Sequence, residues 1–213
     1  METLGKRGIS DVLEELMELL KDSRQPVQEA ASEALCKIIG GSESVPVLVK
    51  ALGASDRKVR KASIEALGKA GNSEAVSALL KELDDDDWYL RSRAADVLAD
   101  IASPEAALGL VKALDLHDAP VRKLIVSALG KIGSPETIEG LVKALEDPDN
   151  SIREAATLGG LGKTGKAEAV PGLLRALHDP KNTVQEAAAT SLGDMKREKP
   201  FLSFSEFLKT LIR

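Results

Sequence analysis

The feature that most constrains the fold of this chain is a repeat with a period of 31 or 32 residues. In each repeat, apolar residues recur at helical spacing on both sides of a short turn, which predicts two amphipathic helices. Neither helix can bury its apolar stripe unless neighbouring repeats pack against it. We call the apolar residue that opens each second helix the anchor; the six anchors are Val27, Val59, Leu90, Val121, Ile152 and Val184.

The residues shared between the units define a consensus. It reads D-x-x-V-R-x-x-A-x-x-A-L-G-K-x-G over the second helix and L-x-x-A-L over the shorter helix that follows. This pattern resembles HEAT repeats, and most closely the 31-residue subclass called phycobilisome-lyase HEAT-like repeats. The resemblance extends from residue 9 to about residue 197. It implies an all-α, right-handed α-solenoid, an α-α superhelix of stacked helix pairs.

We therefore expect a single HEAT-like domain over residues 1–213, with six helix pairs and a C-terminal capping helix. Only five aromatic residues are present, and Ala, Leu, Val and Ile supply most apolar positions. These small or branched side chains suit closely packed helices. The expected units cover about 9–41, 45–72, 76–103, 107–134, 138–166 and 170–197, and the capping helix covers 201–213.

The segment after Pro200 holds three of the five aromatic residues: Phe201, Phe204 and Phe207. At helical spacing they form one apolar stripe. We expect this helix to cover the open end of the sixth unit in a monomeric protein. The alternative is that part of the stripe docks on a second copy of the chain, which would make a dimer, or on a partner.

Two features of the repeat predict local backbone geometry. Leu161 stands nine residues after its anchor, whereas the matching leucine of other units stands eight after it, so a π-bulge or kink is expected near Gly159. The second glycine of the L-G-K-x-G ending, as in Gly71 and Gly133, is expected to end a helix with positive φ. The first glycine is expected to allow close packing. Cys36 takes that position in the first unit and is expected to be small and buried.

Aspartate and arginine recur at fixed offsets from the anchor in the four central units. The aspartate three residues before the anchor is expected to cap the second helix. The arginine one residue after it is expected to reach an aspartate of its own or a neighbouring unit, forming a ladder of ion pairs. A row of arginines that binds anions is the alternative. The predicted ladder residues are Asp56, Asp87, Asp118 and Asp149 with Arg60, Arg91, Arg122 and Arg153.

A protein-binding surface is predicted on the second helices, which line the concave face in HEAT-like proteins. Positions two and five residues after the anchor vary between units, while their neighbours hold. The third unit departs most from the consensus, and an exposed Trp-Tyr pair beside an arginine has the composition of an interaction hot spot. The alternative is that the tryptophan fills a gap between turns. The predicted binding residues are Lys61, Ile64, Trp88, Tyr89, Arg93, Lys123 and Val126.

No catalytic, metal or cofactor site is predicted. His117 and His178 are the only histidines, two units apart, and Cys36 is the only cysteine. They are not expected to share one metal ion. The HEAT-like deoxyhypusine hydroxylase binds iron through His-Glu pairs two and three residues past the anchor. None of the six units has such a pair, so we expect neither that activity nor a bound cofactor.

Charge and composition bound the class of partner. A net charge of −5 argues against a nucleic-acid backbone as the main partner. Charges throughout the first thirty residues predict neither a secretory signal nor a membrane span. With its lone cysteine, the chain is expected to be cytoplasmic. We expect a non-catalytic protein-binding scaffold or adaptor; the alternative is a lyase-type or chaperone subunit of a chromophore- or cofactor-modifying enzyme.

Overall fold

The computed structural model describes residues 2–38, 44–115 and 118–198, and this part of the chain consists of helices and turns without a β-strand. A π-helix spans Ala155–Gly162, and short 3-10 helices span Glu82–Asp84 and Ala167–Ala169. The α-helices of the described residues are α1 (Glu2–Leu19), α2 (Gln25–Ile38), α3 (Val45–Leu52), α4 (Arg57–Ala70), α5 (Ser73–Lys81), α6 (Trp88–Ile101), α7 (Pro104–Ala113), α8 (Ala119–Ile132), α9 (Pro135–Ala144), α10 (Asn150–Glu154), α11 (Val170–Ala176) and α12 (Asn182–Glu198).

The chain forms two compact units, Met1–Ala106 and Ala107–Arg213. In the first compact unit, α4 packs against α2, α3, α5 and α6, so this second helix meets its own first helix and the neighbouring second helices. In the second compact unit, the π-helix packs in the same way against α8, α9, α11 and α12. The predicted all-α fold of repeated helix pairs is thereby confirmed. A right-handed superhelix and a single domain over residues 1–213 stay predictions.

Two sequence-based expectations concern the ends of the chain. Helix α1 begins at Glu2, ahead of the expected start of the first unit at residue 9. Residues 2–8 contain no proline to stop it. The expected capping helix over 201–213, with its phenylalanine stripe, lies outside the described residues.

Aliphatic side chains at the repeated positions form the core. The anchors Val59, Leu90, Val121, Ile152 and Val184 are buried. Most leucines seven residues before or eight residues after the anchor are buried as well. These buried leucines are Leu20, Leu35, Leu52, Leu67, Leu83, Leu98, Leu114 and Leu129.

The extra residue of the fifth helix pair is absorbed by the π-helix Ala155–Gly162, at the place where a π-bulge or kink was expected. Its wider turn brings Leu161 into the core despite the shift in spacing, and that side chain is fully buried. The backbone of this segment also approaches α8 closely. A Cβ atom built on Gly130 would lie only 2.4 Å from the Gly159 carbonyl oxygen. Gly130 is therefore a close-packing position; the Cys36 side chain lies outside the described residues.

Positive φ angles occur where the second helices end. Gly71 and Gly133 have φ values of 57° and 60° at the C-caps of α4 and α8. In the third unit Ala102 holds the same position with φ 49°. The Cβ atom of an L-residue is strained in this region, whereas glycine is not.

Replacement of Ala102 by glycine is therefore expected to stabilise the protein by about 1 kcal/mol. Urea unfolding followed by circular dichroism measures the effect. Ala189→Gly, at an exposed site within α12, is the matched control and should destabilise by about 1 kcal/mol. Destabilisation by both substitutions would show that Ala102 carries no strain.

Candidate protein-binding surface

The four aspartates of the predicted ladder lie at N-caps of second helices. Asp56 precedes α4, Asp87 precedes α6, Asp118 precedes α8 and Asp149 precedes α10. A carboxylate oxygen of each accepts a backbone amide of the first helical turn, at distances of 2.7, 2.9, 3.1 and 2.8 Å. These amides have no partner within the helix, so the aspartates define where each second helix begins.

Three of the predicted ladder arginines pair with a different set of aspartates, five residues before the next anchor. The guanidinium spans to the turn of the following repeat, and the pairs are largely enclosed by the neighbouring turns. The acceptors thus lie two residues before the N-cap position of the following second helix, and not at the cap itself. The three ion pairs, each 2.7 Å long, are Arg60–Asp85, Arg122–Asp147 and Arg153–Asp179.

A local signal could have identified these acceptors. Asp85, Asp147 and Asp179 each accept the backbone amide two residues later, at 2.7, 2.8 and 2.8 Å. This is an Asx-turn, which holds the carboxylate in a fixed direction. The spacing Asp-x-Asp in two of these turns combines the Asx-turn with the N-cap.

A hydrogen bond to a backbone carbonyl of its own turn, made in addition to the ion pair, explains why glutamine can replace arginine in the end units. Arg153 also donates to the Asp147 carbonyl of its own turn at 2.8 Å. Gln185 makes the equivalent bond to the Asp179 carbonyl at 2.7 Å, and the Gln28 amide donates to the carbonyl of its own turn. Glutamine thus keeps the bond within the turn. Only arginine also reaches the next carboxylate.

Arg91 makes the hydrogen bond within its own turn, but the carboxylate that the other ladder arginines reach in the next turn is missing from the sequence. It donates to the Asp85 carbonyl at 2.5 Å, and its guanidinium lies 5.4 Å from the centre of the Trp88 ring. Five residues before the next anchor the sequence has Leu116, which carries no carboxylate and lies outside the described residues. Arg91 is therefore the ladder position that contacts an aromatic side chain.

The ladder predicts a specific dependence of stability on pH. Hydrogen bonds from Arg153 hold the pKa of Asp179 below its ordinary value of 3.8. Because the folded pKa is lowered, the stabilisation is complete above the unfolded value and is lost as the pH falls through the folded value. In Arg153→Ala, the free energy of unfolding should therefore fall less steeply below about pH 4 than in the wild type. Urea unfolding at a series of pH values measures this, with Lys112→Ala, an exposed lysine, as control.

Two predicted binding residues are misplaced by the sequence reasoning. Ile64 and Val126 are fully buried, with no exposed surface, so their assignment to an exposed binding face is wrong. Ala95 and Thr157 occupy the same position in other units and are buried too. Helix α4 is covered by its own first helix, α3, and by the second helices α2 and α6, which widens its apolar arc.

The charged members of the predicted set lie at the surface. In the first compact unit, Lys61 lies 3.8 Å from Glu65, and Arg93 lies 3.2 Å from the same carboxylate and 4.0 Å from Asp96. Lys123 is exposed on α8 in the second compact unit. The structure thus brings Lys61 and Arg93 together through one shared carboxylate.

Trp88 and Tyr89 form the first turn of α6 and are exposed by 48% and 39%. Trp88 therefore does not fill an enclosed gap between turns. Cations from the preceding second helix lie against the tyrosine ring: the Arg57 guanidinium is 4.7 Å and the Lys61 ammonium 5.9 Å from its centre. Sequence reasoning missed Arg57, because its contact with Tyr89 depends on how the two turns pack. We call Arg57, Lys61, Trp88 and Tyr89 the aromatic surface.

The described residues contain no group of three or more histidine, cysteine, aspartate or glutamate side chains that could hold a metal ion. His178 lies with its Nδ1 atom 3.3 Å from the Leu174 carbonyl oxygen. His117 lies outside the described residues. Within the ranges that the structure describes, no helix has the length and apolar character to cross a membrane.

Comparison with known proteins gives the family. The profile of HEAT repeats matches residues 13–82, 76–159 and 138–210. No curated protein matches the chain.

Several solved structures are similar in fold. The CpcE–CpcF complex of phycocyanin lyase from Nostoc sp. PCC7120 is 26% identical, with 86% of this chain and 76% of that chain covered and a TM-score of 0.49. An engineered protein is 27% identical, with coverages of 87% and 96% and a TM-score of 0.44. Human deoxyhypusine hydroxylase is 16% identical, with coverages of 92% and 100% and a TM-score of 0.41. Since the family profile matches nearly the whole chain in three overlapping spans, this protein belongs to the HEAT-repeat family.

Proposed function

We propose that this protein is a non-catalytic protein-binding scaffold or adaptor, and that the aromatic surface contacts its partner. The observation that carries the proposal is the pair of adjacent, exposed rings of Trp88 and Tyr89. The chain has only five aromatic residues, so two exposed ones at one helix start are a marked local feature.

The chemistry of the aromatic surface suits a protein interface. Tryptophan, tyrosine and arginine are the residues most enriched at positions where truncation costs roughly 2 kcal/mol or more of binding free energy. The Arg57 guanidinium lies 4.7 Å from the centre of the Tyr89 ring and also pairs with Asp87 at 2.7 Å, so the ring lies beside a cation that a carboxylate helps to hold in place. A preorganised ring loses little conformational entropy when a partner covers it.

The remaining features of the proposal follow from composition. A lone cysteine fits a reducing compartment, and we place the protein in the cytoplasm. We propose a monomer that binds another protein, and neither nucleic acid nor a membrane surface as its main partner.

The test is capture of partners by the immobilised protein. We expect Trp88→Ala/Tyr89→Ala to lose polypeptides that the wild type recovers from the native host, as read by mass spectrometry. Leu108→Ala is the matched control, because Leu108 is another large apolar residue exposed by 49%. Its recovered set should equal that of the wild type. The same polypeptides recovered by all three proteins would contradict the proposal, and a coloured or cofactor-bearing preparation would favour the lyase-type alternative.

A further inference from the structure

We infer that the aromatic surface takes an acidic polypeptide segment, with Asp or Glu side chains on the lysines of α4 and an apolar side chain on the rings. This inference rests on the proposed function and adds the chemistry of the partner. It follows from the charges that surround Tyr89.

Helix α4 is strongly basic in a chain whose net charge is −5. It carries one acidic residue, Glu65, against five cations. The N-terminal half of α4 holds four of these cations and lies beside the aromatic pair of α6. The five cations are Arg57, Lys58, Arg60, Lys61 and Lys69.

Internal carboxylates neutralise only part of this charge. Arg60 is committed to Asp85 in the ladder, and Arg57 is paired with Asp87. The Lys58 ammonium donates to the side-chain oxygen of Gln28, a neutral group, at 2.7 Å.

The Lys61 ammonium, like that of Lys58, can bind a carboxylate from another molecule. It lies 3.8 Å from Glu65, whose carboxylate is closer to Arg93 at 3.2 Å. In the N-terminal half of α4, Lys58 and Lys61 are therefore the cations that can bind an external carboxylate without breaking the ion pairs of Arg57 and Arg60.

The positions of these lysines connect charge with the rings. Lys58 and Lys61 are three residues apart and share one face of α4. The Lys61 ammonium lies 5.9 Å from the centre of the Tyr89 ring. A carboxylate at Lys61 therefore leaves the neighbouring apolar side chain of the same segment within reach of Tyr89 and Trp88.

A polypeptide fits this surface better than a nucleic acid. Aromatic rings beside cations can also stack with bases. However, four consecutive aspartates, Asp84 to Asp87, immediately precede Trp88. Evenly spaced phosphates that pass over both rings would meet these acids, whereas a peptide can place its carboxylates on α4 and an uncharged residue at Trp88.

Trp88 is the only tryptophan of the chain, so its emission reports directly on this surface. The probe is a synthetic peptide in which pairs of glutamates alternate with single leucines. We expect it to shift the emission of Trp88, with an affinity that weakens as salt is added. A peptide with lysine in place of glutamate and a short thymidine oligonucleotide should bind more weakly.

Charge-reversal variants distinguish binding at the aromatic surface from attraction by the overall charge of the protein. The double substitution Lys58→Glu/Lys61→Glu should weaken the binding of the acidic peptide by about tenfold. The matched control Lys50→Glu/Lys81→Glu makes the same charge change at exposed lysines of α3 and α5 and should bind like the wild type. Circular dichroism checks that both variants keep their helix content.

Three results would overturn the inference: equal binding of the lysine peptide, tighter binding of the oligonucleotide, or equal losses in the two charge-reversed variants. The capture experiment keeps the two proposals distinguishable. Capture that depends on Trp88 and Tyr89, without binding of the acidic peptide, would leave the scaffold role in place and overturn only the acidic partner.

Discussion

Gly130→Ala is expected to lower the free energy of unfolding by about 3 kcal/mol. The added Cβ atom would lie 2.4 Å from the Gly159 carbonyl oxygen and 2.8 Å from the Gly160 Cα atom. Both contacts are backbone atoms, so no side chain can rotate to make room. Helix α8 and the π-helix would have to move apart, which opens the aliphatic interior between them.

Urea unfolding of the wild type and the variant measures this loss. The matched control is Gly193→Ala on α12, where an added Cβ atom meets nothing within 4 Å. That control should be stabilised by about 0.5–1 kcal/mol, because alanine favours the helix. If both glycine substitutions stabilise the protein, the close approach of the two backbones is not present in solution.

Arg122→Ala is expected to destabilise the protein by about 1.5–3 kcal/mol. Two nitrogens of Arg122 bond the Asp147 carboxylate, at 2.7 and 2.9 Å. The two side chains are exposed by only 18% and 10%, so solvent screens them weakly. The substitution leaves the Asp147 carboxylate without this partner in a mostly covered site. The same hydrogen bond raises the pKa of Arg122 above its ordinary value.

The control for Arg122→Ala is an ion pair with the same nitrogen–oxygen distance but with side chains that are exposed to solvent. Lys143 lies 2.7 Å from Asp115, but these side chains are exposed by 59% and 58%. Lys143→Ala should therefore change the free energy of unfolding by about 0.5 kcal/mol or less. Equal midpoints of urea unfolding for the two variants would contradict a structural ladder and return the anion-binding row to consideration.

The sequence was a strong predictor of whatever depends on the repeat period. Offsets that recur in several units predicted three features: the burial of the anchors, the extra residue before Leu161, and the positive φ of the glycines at the helix ends. Each recurrence is an independent indication of the same backbone geometry. One-residue changes in spacing could therefore be located within a helix.

Period alone did not predict which faces of a second helix are covered. Ile64 and Val126 look like surface residues because their position varies between units. Their burial depends on how far the neighbouring second helices wrap around, which is a property of packing. The contacts of Arg57 with Tyr89 and Asp87 likewise depend on the distance between successive turns. Such distances are not encoded in the residue types of one unit.

The π-helix has a consequence for how an array of this kind can change over evolutionary time. A one-residue insertion in a turn would alter the path to the next repeat, whereas here the additional residue is taken up inside the helix itself. Leu161 and the next anchor, Val184, are both fully buried, so the sixth repeat still packs its anchor in the interior. A one-residue insertion can thus be taken up within a single repeat, and such a difference in length between relatives need not disturb the neighbouring repeats.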